Sequence, residues 1–146
     1  MPCGRRIKVK YIYPAILKLD TTDENYPQGV YLVEFPDLPH CITSGETLEE
    51  ALTMAEDALN LCLWSMEADK EEIPTPSKML DVKSGEDDIV TLVKADTLEY
   101  RKKHDTRAVR KNCSIPQWLE TLVQEHNINC SKVLQNALMH ELNIVR

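Results

Sequence analysis

Several features that mark common functional classes are scarce or missing. Aromatic residues fill only 5% of the 146 positions, with a single phenylalanine. Hydrophobic residues still reach 42%, enough for a modest, mainly aliphatic core, and the length fits one domain or a small domain with a smaller module. No apolar run could span a bilayer and no secretory leader is visible, which predicts a cytoplasmic protein with no membrane role. The five cysteines, Cys3, Cys41, Cys62, Cys113 and Cys130, are scattered. None pairs at metal-ligand spacing and no disulfide framework is implied. Cys62, Cys113 and Cys130 fall at apolar positions and are expected as reduced core residues. The histidines are isolated: His40 in a turn, His104 in a polar stretch, His126 at a helix end and His140 on the last helix. None has a partner at a spacing that makes a catalytic pair. No catalytic residue, metal or cofactor is expected.

What is present is an uneven distribution of charge. The net charge is −7. From residue 101 onward eight Lys and Arg stand against four Asp and Glu, while the first hundred residues hold nine against twenty. Such a split suggests two parts with different partners, a basic one for phosphates and an acidic one for a basic protein.

The acidic part reads as strand, strand, strand, helix, strand. Residues 9–19 form the first strand, where Pro14 argues for an edge or a bulge. A turn-rich connection leads to a strand at residues 30–35, the turn Pro36-Asp37-Leu38-Pro39, and a short strand at 41–43. Thr47 and Glu50 have the spacing of a capping box. A helix over residues 48–68 follows, with Leu48, Ala51, Leu52, Ala55, Ala58, Leu59, Cys62, Leu63 and Met66 on one stripe. Its off-stripe Glu49, Glu50, Glu56 and Asp57 fit a solvated face or a partner's contact surface. Pro74 and Pro76 open an acidic, mobile connection through residue 87. Residues 89–95 are β-branched and give the fourth strand. A helix on one face of a small, mostly antiparallel sheet is an α+β layer. The polar stretch around Arg101, Lys102 and Lys103 predicts a linker at residues 101–106, with room for a helical turn, between a domain at 1–100 and a module at 107–146.

The basic module opens with the alternating string V-R-K-N-C-S-I at residues 109–115. Val109, Cys113 and Ile115 would face inward beside the stem of Lys111, with Arg110, Asn112 and Ser114 outward. A lone strand needs a partner, most simply its copy in a second chain. The outward side chains could read base edges in a major groove, which admits a two-stranded ribbon. Alternation alone equally allows a solvated edge strand. Two short helical patterns follow. Pro116 starts one carrying Trp118, Leu119, Leu122 and Val123. Asn127 can supply a left-handed turn, and Asn129 can cap a second helix carrying Val133, Leu134, Ala137, Leu138 and Leu142. Two helices this short cannot bury both faces alone, so an intertwined dimer is expected. The second helix begins at Cys130-Ser131-Lys132, where backbone N–H groups and a cation make a phosphate clamp.

The strings V-R-K-N-C-S-I-P-Q-W-L and N-I-N-C-S-K-V-L-Q-N-A-L resemble the ribbon-helix-helix family of DNA-binding proteins. The resemblance implies that Arg110, Asn112 and Ser114 read bases and that the helix start near Asn129, Cys130 and Ser131 holds the DNA backbone. Asn127 stands where the family often has glycine, and Lys111 occupies an inward-facing position. The earlier blocks, Tyr13-Pro14-Ala15, Tyr31 to Pro39, Cys41-Ile42-Thr43 and Gly45 to Leu52, resemble the HicB antitoxin family, with His40 where glycine is common. That resemblance implies a partial RNase H-like fold that neutralises a small basic HicA toxin, an mRNA-cleaving ribonuclease. It also implies repression of the antitoxin's own operon through the C-terminal module, at palindromic operator DNA, by a homodimer or a tetramer.

An enzyme is the opposing class. An RNase H-like nuclease needs carboxylates converging from core strands to hold two metal ions. Asp20, Asp23, Glu24 and Asp37 lie in or beside turns, and Glu34 alone sits inside an early strand. A DNA-binding regulator with no toxin partner is the other alternative.

Overall fold

The computed structural model describes residues 8–144. Cys3 and the basic start of the chain lie outside them. The chain divides into two compact units, Val9–Thr106 and one built on the C-terminal segment from Arg107.

The first unit contains β1 (Lys10–Asp20), β2 (Val30–Phe35), β3 (Leu38–Gly45), α1 (Leu48–Ala68), β4 (Ile89–Asp96) and α2 (Thr97–His104). The four strands form one antiparallel sheet in the order β3-β2-β1-β4. Alternation along β1 sends Tyr11, Tyr13, Ala15 and Leu17 into the core, where α1 contributes Ala51, Ala55, Leu59 and Leu63. Leu59 and Leu63 are wholly buried, each contributing roughly 2–3 kcal/mol. The opposite sheet face leaves Ile12, Ile42 and Leu92 largely exposed, beside a Lys18–Glu34 ion pair at 3.1 Å.

Thr47 caps α1, and Glu50 reaches back one residue beyond the cap. Thr47 Oγ1 accepts from Glu50 N–H at 3.1 Å, and the Glu50 carboxylate accepts from Glu46 N–H at 2.8 Å. Gly45 lets β3 run into this helix start: a Cβ there would lie 2.7 Å from Ala51 Cα.

Four expectations need correction. Pro14 lies in an inner strand, not an edge. The β1–β2 ladder covers only Ile16 to Asp20, whereas the β1–β4 ladder runs from Lys10 to Leu17. Pro14 therefore has a strand neighbour on one side only, which is how its missing N–H is tolerated. The third strand is longer than residues 41–43, because β2 supports it from Leu38 to Gly45. The connection after α1 is pinned at its start. Tyr13 donates to Pro74 O, and Asp37 accepts from Ser77 N–H at 2.9 Å; a 3-10 turn follows at Met79–Asp81. The expected linker is helical through His104: Asp96 caps α2 by accepting from Glu99 N–H at 3.1 Å, and Tyr100 packs edge-on against Trp64.

The second unit contains α3 (Gln117–Glu125) and α4 (Cys130–Glu141). Between them Asn127 takes φ 51°, the left-handed turn conformation that asparagine tolerates.

Candidate nucleic-acid interface

Residues 107–116 precede α3 and form no strand. A strand requires a ladder of hydrogen bonds with a neighbour, and none of the described strands pairs with this segment. Arg110, Asn112 and Ser114 are exposed along it. Val109, expected inward, is 87% exposed. Cys113 and Cys130 are also exposed, and Cys62 is only partly buried. The expectation of three core cysteines therefore fails for Cys113 and Cys130. Their unit is too small to cover them by itself.

The other predicted residues come together at the start of α4. Asn129 is the cap, its side-chain oxygen accepting from Lys132 N–H at 3.0 Å. The first N–H groups of a helix have no partner inside it. Those of Cys130 and Ser131 therefore lie at the positive end of the α4 dipole, and Lys132 follows them in the first turn. Asn129, Cys130 and Ser131 border an open hollow of about 590 Å³ together with Asn127 and Gln124. Such a hollow can hold an anionic oxygen. Glu120 also borders it, but accepts from Gln124 Nε2 at 2.7 Å. Arg110, Asn112 and Ser114 do not line this hollow. Gln124 and Glu120 were not singled out from the sequence, since helical polar residues four apart are ordinary on any exposed face.

The apolar stripes of α3 and α4 are uncovered. Neither helix has a buried residue. Trp118 is 66% exposed, and Leu122, Val133, Leu138 and Leu142 are each more than two-fifths exposed. Among the described residues no cluster of His, Cys, Asp or Glu could hold a metal ion, and no helix is long and apolar enough to cross a membrane.

Comparison with known proteins gives concordant likenesses. The family model of HicB-like antitoxins of bacterial toxin-antitoxin systems matches residues 13–137. Antitoxin HicB 1 of Photorhabdus laumondii is 43% identical over 60 residues, which are 41% of this chain and 39% of that protein. The chain thus spans 34–39% of the length of the curated HicB antitoxins it matches. A chain of a toxin-antitoxin complex from Streptococcus pneumoniae superposes with TM-score 0.57 at 26% identity, covering 90% of this chain and 99% of that one. The antitoxin HicB of Burkholderia pseudomallei shares the fold at TM-score 0.50 and 21% identity, over 90% of this chain and 98% of its own.

Proposed function

Because the chain belongs to the HicB-like antitoxins of bacterial toxin-antitoxin systems, we propose that it binds and neutralises a small HicA-type ribonuclease and represses its own operon. The observation that carries this reading is that one family model runs across both units, residues 13–137. The acidic residues gathered in the first hundred positions suit a basic toxin. The sheet order β3-β2-β1-β4, with α1 between β3 and β4 in the chain, supports a partial RNase H-like layer for the toxin-binding domain. In this reading the domain is a binding module and not a nuclease, and the protein works in the cytoplasm.

The C-terminal unit is read as half of a ribbon-helix-helix dimer. Support comes from the uncovered stripes of α3 and α4 and from the segment at 107–116 that lacks a ladder partner. In the dimer two copies of that segment pair, Arg110, Asn112 and Ser114 face base edges, and the α4 start holds a phosphate.

Two measurements test the proposal. The purified chain, mixed in equal amounts with the small toxin encoded beside it, is expected to stop RNA cleavage; undiminished cleavage at excess chain overturns neutralisation. The full chain is expected to shift palindromic DNA from upstream of its own gene. A chain lacking residues 107–146 is expected to keep the toxin and lose the DNA, and retained DNA binding overturns the division of labour.

A further inference from the structure

The corner between α1 and α2 holds a cavity of about 320 Å³ within the first unit. That is at the small end of the ~300–1,000 Å³ range of ligand pockets and suits one side chain better than a cofactor. Its walls include the carboxylates Glu56, Asp57, Asp96 and Glu99. Asp96 is engaged as the cap of α2, and Glu99 pairs with Lys102 at 2.7 Å. Glu56 and Asp57 are exposed and form no ion pair among the described residues.

A second, independent feature lies on the same wall. Asn60 is 94% buried, being 6% exposed. Its Nδ2 donates to Glu56 O at 3.0 Å, which fixes the amide with its oxygen as the remaining group. That oxygen is buried without a hydrogen-bond partner. A helix interior is a poor place for asparagine, and a buried acceptor without a donor is penalised. Both facts are accounted for if a donor enters the cavity and the amide turns to meet it. Tyr100 supplies an aromatic wall.

We infer that this notch seats the guanidinium of an arginine side chain from a partner protein. An amide oxygen, two unpaired carboxylates and a ring edge match the planar, multi-donor, weakly hydrated guanidinium better than a compact ammonium. Lys103 and His104 at the rim set a limit of one entering cation. The basic toxin proposed above is the natural source of the arginine, and that source depends on the antitoxin reading. The notch itself does not.

The test is a side-chain NMR titration of the full chain with Nα-acetyl-arginine methylamide. Saturable shifts at the Asn60 amide and Tyr100 are expected, with capped lysine binding more weakly. Asp57→Asn is expected to weaken the arginine probe about fivefold, while Glu72→Gln, outside the notch, leaves it unchanged. Glu56→Gln serves as a second variant, with the same loss expected. Shifts that rise linearly and spread over many carboxylates, or affinities equal in all variants, overturn the site. If the probe binds but toxin arginine variants are still neutralised normally, the notch stands and the toxin is not its occupant.

Discussion

Tyr11 and Glu67 lie 56 positions apart in the sequence and meet as donor and acceptor at 2.9 Å. The same Glu67 carboxylate accepts from Thr97 Oγ1 at 2.9 Å and pairs with Arg101. A carboxylate in the last turn of α1 faces the negative end of the helix dipole, so these donors offset an unfavourable position. The contact ties β1, α1 and α2 at one point, where the chain leaves the first unit.

Removing that acceptor should loosen α2. Glu67→Ala leaves Arg101 without its partly buried partner and is expected to destabilise the first unit by about 1–3 kcal/mol. Urea unfolding of the full chain followed by circular dichroism reads this directly. A change below about 0.5 kcal/mol would show that Glu67 is dispensable.

Alkaline pH should weaken the fold through a buried thiol. Burial first, and Cys62 second, push Cys41 from 9.0 to about 12. The unfolded chain gives up this proton first. The contribution is therefore whole below about pH 9 and is lost as pH rises towards 12. Burial shifts Tyr11 and Tyr13 in the same direction. Urea midpoints are expected to fall over this window, and less steeply in Cys41→Ala. Parallel slopes in the two proteins would remove Cys41 from the account.

Base-reading and backbone-holding residues should separate in DNA binding. Arg110→Ala and Asn112→Ala are expected to cost about 1–3 kcal/mol each at the operator and little on unrelated DNA. Ser114→Ala is expected to act in the same direction with a smaller loss. Lys132→Ala is expected to weaken all sequences alike and to lower the salt slope by about one. Binding isotherms at several salt concentrations distinguish the two patterns, and identical patterns would refute the assignment.

The cysteines offer a probe of assembly. Cys113 and Cys130 are exposed in the single chain, and Cys41 is buried. Alkylation followed by mass spectrometry is expected to spare Cys41 throughout. Cys113 should become protected as protein concentration rises and ribbons pair, and Cys130 only when operator DNA is added. Concentration-independent labelling of Cys113 would contradict the paired ribbon.

Legibility in the sequence followed the kind of force that holds each element. α1 and β2 could be read to their ends, because Thr47 and Glu50 mark a helix start and the apolar run Val30 to Phe35 is bounded by Gly29 and Pro36. α2 could not, because it has no apolar stripe. Its Asp96 cap, its Tyr100–Trp64 contact and its Arg101–Glu67 pair depend on neighbours distant in sequence. Pro14 misled for a similar reason, since local sequence does not reveal that β2 stops short of it. In the candidate site, Asn127 and Asn129 announced their roles through backbone preferences. The expected strand at 109–115 needs a second backbone to exist at all. The Asn60 notch was invisible, as a single asparagine on a helical stripe reads as an interruption until its two amide ends can be followed separately.

The central place of β1 also sets an order of events during synthesis. Its partner β2 follows it after the connection at residues 21–29, whereas its other partner, β4, lies beyond the whole of α1. The β1–β2–β3 meander can close early through local turns. The β1–β4 ladder must wait for a long loop to close, the slower kind of contact. A chain still on the ribosome therefore carries a bare edge along Tyr11 to Leu17 until residue 96 has emerged, and the last ladder to form is the one from which α2 departs.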